Sequence, residues 1–160
     1  MEIPEYQKEF MRRAIALSRQ KMEENCGGPF GAVIVKGNKI IAEGWNQVTS
    51  SNDPTAHAEV VAIRNACKAE DKFSLQGCEI YTSCEPCPMC LSAIYWAHLD
   101  RIYYANSRKD AATIGFDDDF LYREIGLPER ERTKEISRLL SAEAWAVFED
   151  WLKKTDKIQY

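Results

Sequence analysis

Cys78-Glu79-Ile80-Tyr81-Thr82-Ser83-Cys84-Glu85-Pro86-Cys87-Pro88-Met89-Cys90 is the stretch that decides the fold. Its first part is short, apolar-alternating and closes at Ser83-Cys84, so it reads as a central strand. A helix follows from Pro86 or Pro88 to His98, and Arg101-Ile102-Tyr103-Tyr104-Ala105 reads as the next strand. Upstream, Phe30-Gly31-Ala32-Val33-Ile34-Val35 and Lys39-Ile40-Ile41-Ala42-Glu43-Gly44-Trp45 flank a Lys36-Gly37-Asn38 turn, the pattern of a β-hairpin. Between hairpin and central strand, Asp53-Pro54-Thr55 supplies a cap and first turn for a helix over residues 56–69. Strand, helix, strand, helix, strand in that order implies parallel neighbours joined by crossovers. The expected architecture is a three-layer α/β/α sandwich with a mixed central sheet.

The flanks are less decisive. Pro4-Glu5 looks like a helix start, with Phe10, Ala14, Leu17 and Met22 as its core stripe, ended by Asn25-Cys26-Gly27-Gly28-Pro29. Residues 47–53 are polar and turn-rich. After Asn106, Gly115-Phe116-Asp117-Asp118-Asp119 reads as a loop, residues 120–125 as a short helix, and residues 136–140 as strand or helix. Residues 141–153 read as a helix with Ala144, Val147, Phe148 and Trp151 on one stripe, followed by an extended tail to Tyr160. With no repeat, low-complexity tract or linker, residues 1–160 read as a single domain, of which 141–160 is the C-terminal helix and tail.

Composition narrows the function classes. A chain of 160 residues, 45% of them hydrophobic, can bury a core without disulfide or metal staples. It opens without a basic and then apolar leader, and no apolar run approaches the ~20 residues that cross a bilayer. The expectation is therefore a cytoplasmic protein with no membrane partner and with its six cysteines reduced. The formal charge of −4 comes from 21 basic and 25 acidic residues without a block of one sign, which is poor equipment for gripping a phosphate backbone. A small neutral substrate is expected, and no nucleic acid.

The chemistry lies in His57-Ala58-Glu59 and Pro86-Cys87-Pro88-Met89-Cys90. Cys87 and Cys90 are three apart, so on a helix they share a face within reach of one ion. With His57 they make three nitrogen or sulfur ligands and leave the fourth position of a tetrahedral zinc open, as in a catalytic site. His57 and Glu59 differ by two residues, about 200° around an ideal helix. They can converge only over the helix start, so both helix starts should point into one cleft. Glu59 then suits proton transfer rather than ligation. Two rival readings stay open at this point: a redox Cys-x-x-Cys pair, and a closed structural zinc that adds Cys84. Cys26, Cys67 and Cys78 read as small buried hydrophobes, and His98 as a cap or surface residue.

The His-x-Glu and Pro-Cys-x-x-Cys patterns together are the signature of zinc nucleobase deaminases. With Gly28-Pro29-Phe30-Gly31-Ala32-Val33-Ile34-Val35, the run Asn52 to Glu59, the run Tyr81 to Cys90, Gly115-Phe116-Asp117-Asp118 and a final Tyr, the chain resembles the bacterial guanine deaminases of the cytidine deaminase fold. The zinc motifs mark the superfamily; the Gly-Phe-Asp-Asp loop and the C-terminal Tyr mark the guanine branch. The resemblance implies hydrolysis of guanine to xanthine and ammonia by a zinc-bound hydroxide, with one Zn2+ per chain and Glu59 as proton shuttle. It implies a pocket in which Phe30 stacks on the purine, Asn46 and the Ala58 backbone bind its edge, and Asp118 and Tyr160 complete recognition. Among Asp117, Asp118 and Asp119 the choice rests on motif register alone. The resemblance also implies a homodimer in which residues 141–160 can exchange between subunits or dock on their own core. The same chemistry on another free base, an aminated triazine or adenosine in tRNA is the nearest alternative. A catalytically silent zinc scaffold is the rival from another class.

Overall fold

The computed structural model describes residues 3–159. The elements run α1 (Glu5–Glu23), β1 (Gly31–Lys36), β2 (Lys39–Trp45), α2 (Val48–Ser51), α3 (Ala58–Glu70), β3 (Cys78–Cys84), α4 (Pro88–Trp96), β4 (Arg101–Asn106), α5 (Arg108–Thr113), α6 (Asp119–Gly126), a 3-10 turn (Glu129–Glu131) and α7 (Ser141–Lys153). They form two compact units, residues 1–118 and 119–160.

In the first unit a four-stranded mixed sheet runs in the order β2-β1-β3-β4. β1 is antiparallel to both β2 and β3, and β3 is parallel to β4. The β3-α4-β4 crossover is the one expected. The β2-α3-β3 crossover differs: it passes over β1, which lies between the strands it joins.

The two faces of the sheet bury separate clusters. On one face Ala14 and Leu17 of α1 pack with Val33, Val35 and Tyr81. Of the expected α1 stripe, Phe10 is partly buried, but Met22, five residues beyond Leu17 and so about 140° around the helix from it, is exposed. On the other face Ala58, Ala62 and Ala66 of α3 and Ile94 of α4 pack with Ala32, Ile34, Ala42 and Ile80. The i, i+4, i+8 spacing puts the three alanines on one stripe of α3, and their small size lets the helix lie close to the sheet. Helices on both faces make the expected three layers.

The remaining differences are local. Residues 48–51 form a short helix, closed by Asn52 in the left-handed region, where a loop was expected. α5 was not expected; Ser107 and Asp110 form a capping box at its start. Residues 136–140 are neither strand nor helix. Cys26, in the turn after α1, and Cys67, on α3, are half-buried rather than buried, whereas Cys78 is buried as expected. His98 ends α4 with φ of 56°, as a cap does. No described helix is long and apolar enough to cross a membrane.

The second unit holds α6, the 3-10 turn and α7. Thr133 donates from its backbone and hydroxyl to Glu124, and Arg132 donates to the carbonyls of Leu127 and Ile125, which pins the turn to the end of α6. α7 has the expected bounds, and Val147, Phe148 and Leu152 are exposed along it.

Gly44 is the position at which β2 and α3 meet most closely: a Cβ there would overlap the Ala58 carbonyl oxygen and the Ala62 nitrogen. Gly44→Ala should therefore destabilise the protein by about 1 to 3 kcal/mol, the usual cost of overpacking. A lower denaturant midpoint at unchanged m-value is the expected reading; an unchanged midpoint would mean that α3 is free to shift.

Candidate metal and catalytic site

Two helix starts meet beyond the C-terminal end of β3. His57 occupies the N-cap position of α3 and Cys87 that of α4, both with extended backbone and neither capping its helix with its side chain. A Ser or Asp at each position would stabilise its helix by about 1 kcal/mol. Here both positions carry metal-ligand residue types instead. Pro88 follows at the first helical position of α4, where its missing N–H costs nothing. Cys90 is one turn into the helix and fully buried.

His57 Nδ1 lies 3.5 Å from Cys87 Sγ and 3.4 Å from Cys90 Sγ, and the three donor atoms all fall within 4.8 Å of one another. A tetrahedral zinc with ordinary bond lengths would hold a sulfur and a nitrogen about 3.5 Å apart. The donor set and its spacing therefore fit zinc. Cys84 points elsewhere: its thiol donates to the Ser107 carbonyl at 3.8 Å, and burial pushes its pKa up to about 11. That orientation disfavours the closed four-ligand site.

Within the triad the hydrogen bond from the Cys90 thiol pulls Cys87 down to about 4, against burial and with help from His57. The same hydrogen bond pushes Cys90 up, together with burial and the nearby Glu59 charge. His57 is raised by its contact with Cys87. A bound dication would favour both sulfurs as thiolates.

Glu59, in the first turn of α3, is buried. Its Oε1 accepts from the Thr82 hydroxyl at 3.1 Å and its Oε2 from the Cys90 thiol at 3.3 Å. Burial raises its pKa, which favours a group able to hold a proton and release it. A bound cation would act in the opposite direction.

The expected substrate residues come together in part. Asn46 accepts through Oδ1 from the backbone N–H groups of Gly28 and Val48, at 3.1 and 3.2 Å, and its own N–H donates to the Phe30 carbonyl. Those two donors fix the amide with its NH2 end unclaimed. Phe30 meets Phe116 edge to face, with ring centroids 4.9 Å apart. Ala58 is the first residue of α3, so its N–H has no partner within the helix. Asp118 has a raised pKa from burial and from the charge of Cys87, which places it in electrostatic reach of the triad. Tyr160 lies outside the described residues. Thr82 and Phe116 were not singled out from the sequence. A strand threonine carries no motif, and the sequence marks Phe116 only through its place in Gly115-Phe116-Asp117-Asp118, which does not tell that it packs on Phe30.

Residues 4–106 match the family model described as the cytidine and deoxycytidylate deaminase zinc-binding region. The chain is 52% identical over 151 residues to the guanine deaminase of Bacillus subtilis strain 168, covering 94% of this chain and 97% of that protein. The X-ray structure of guanine deaminase from Bacillus subtilis superposes with a TM-score of 0.93 at 51% identity, over 96% of this chain and 98% of that one. A tRNA-specific adenosine deaminase of Haemophilus influenzae is 34% identical over 86% of this chain and 82% of its own length. Donor set, fold and similarity agree: the chain belongs to the cytidine and deoxycytidylate deaminase zinc-binding family.

Proposed function

We propose that this protein hydrolyses guanine to xanthine and ammonia, with His57, Cys87 and Cys90 holding one zinc and Glu59 carrying the protons. The observation that carries this reading is the position of Glu59, buried against the donor triad yet not part of it. Similarity to a guanine deaminase over nearly the whole chain supports the choice of base.

Zinc in such a site supplies Lewis acidity and makes water a nucleophile near neutral pH. The protein's own residues do the rest. Glu59 takes a proton from water, passes it to a ring nitrogen and delivers one to the departing amine. Phe30, braced by Phe116, offers a flat apolar surface to a purine ring. Asn46 presents its NH2 as a donor, so it pairs with an acceptor on the ring. Asp118 is a matched acceptor for guanine, which shows N1–H and the 2-amino group as adjacent donors; adenine and cytosine show a donor beside an acceptor. Tyr160 completes the set on the strength of the resemblance alone.

We further propose that residues 1–160 act as one cytoplasmic deaminase domain in a homodimer, with 141–160 exchanged between subunits. The exposed apolar residues of α7, Val147, Phe148 and Leu152, and of α4, Tyr95 and Trp96, support a partner of the same kind. Light scattering should give twice the 18.3 kDa chain mass; a mass of one chain would contradict the exchange.

Zinc-loaded protein should convert guanine to xanthine in an ultraviolet assay and leave adenine, cytosine, cytidine and guanosine unchanged. Glu59→Ala should abolish turnover while keeping zinc. Asp118→Asn should lower kcat/KM for guanine by roughly 5-fold to 150-fold, the equivalent of about 1 to 3 kcal/mol for a mispaired buried acceptor. Turnover of another amine instead of guanine would refute the Asp118 pocket, and zinc-loaded protein silent on every amine would refute the catalytic reading.

A further inference from the structure

Thr82 is 1% exposed on β3, two residues before the C-terminal end of the strand. It pairs with Ala32 of β1 and Tyr104 of β4, and it shares a strand face with Cys78 and Ile80, the face covered by α3 and α4. From there its hydroxyl donates to Glu59 Oε1 at 3.1 Å. The other side-chain partner of Glu59 is Cys90, on Oε2 at 3.3 Å. Cys90 belongs to the donor triad, and a sulfur that holds a metal has no proton to donate. Thr82 is thus the side-chain donor on this carboxylate that the loaded enzyme keeps.

We propose that Thr82 is a positioning residue: it grips Glu59 by Oε1 and so makes Oε2, the oxygen beside the sulfurs, the one that carries protons. This rests on the role given to Glu59 above. A carboxylate on a helix side chain can rotate about its last torsion, which is broad and roughly two-fold. A donor fixed to one oxygen by a strand at the centre of the sheet removes that freedom. The strand, held on both edges by β1 and β4, is a rigid support of the kind that precise proton transfer needs.

The test compares Thr82→Val, Thr82→Ser and Glu59→Gln with Thr82→Val/Glu59→Gln, all zinc-loaded. Val keeps the volume and the strand preference and removes only the hydroxyl. Kinetics are read on whichever amine the wild type turns over, so failure of the guanine reading leaves this comparison intact. Thr82→Val should lose about 10-fold to 100-fold in kcat, less than the ~10²–10⁴ that a general acid-base group itself supplies. KM should stay within about 2-fold and zinc at one per chain, and Thr82→Ser should return kcat to within about 3-fold of wild type. In the Glu59→Gln background Thr82→Val should cause no further loss, because the residue acts through that carboxylate. A Thr82→Val enzyme with wild-type kcat would overturn the proposal, as would losses that multiply in the double variant or a Ser variant no better than Val. Thr82→Ala serves in place of Val if the latter does not fold.

Discussion

Three donor atoms from two helices thirty residues apart must lie about one tetrahedral edge from each other, and most of the first unit can be understood as the means of holding them there. His57 Nδ1 is 3.5 and 3.4 Å from the two sulfurs, and a shift of either helix by one ångström would undo that spacing. α3 is set by its alanine stripe against β1 and β2 and by the missing Cβ of Gly44. α4 is set by the short connection Glu85-Pro86 from β3, where the Glu85 N–H donates to the Asn106 carbonyl of β4 at 2.8 Å and its side chain accepts from the Arg108 N–H. Both helix starts are thus anchored to strands rather than to loops.

The same arrangement has an electrostatic side. Helix N-termini carry about half a positive charge each, which favours thiolate at Cys87 and carboxylate at Glu59 where burial alone would not. Leaving the N-cap positions to His57 and Cys87 forgoes ordinary capping at both helices. Stability given up at the two ends is recovered when a cation is held there, since metal binding to a folded site is folding free energy. Burial of Glu59 makes sense in this setting: the carboxylate is held by the Thr82 hydroxyl and lies adjacent to the donors without being one of them.

Much of this is legible in the sequence where local pattern and chemistry coincide. The spacing of Cys87 and Cys90, the offset of Glu59 from His57, the hairpin around Lys36-Gly37-Asn38 and the α7 bounds all follow from short-range rules, and the structure agrees with them. Legibility fails where the deciding contact is distant in the chain. Nothing local tells that β3 inserts beside β1, which alters the first crossover. Nothing local marks Thr82, whose partner is twenty-three residues away on another element. Residues 136–140 take neither strand nor helix although Ile136, Leu139 and Leu140 stand at helical spacing, because five residues are too few to nucleate a helix on their own. Phe116 becomes informative only once Phe30 is seen against it.

The most direct test of the central claim, that one zinc is held by His57, Cys87 and Cys90 with Glu59 apart from it, is zinc K-edge X-ray absorption on the wild type and on Glu59→Ala. The account predicts two sulfur neighbours at about 2.3 Å and one imidazole nitrogen at about 2.0 Å, with the same protein ligands in both proteins. A third sulfur, or a ligand set that changes when the Glu59 carboxylate is removed, would contradict it.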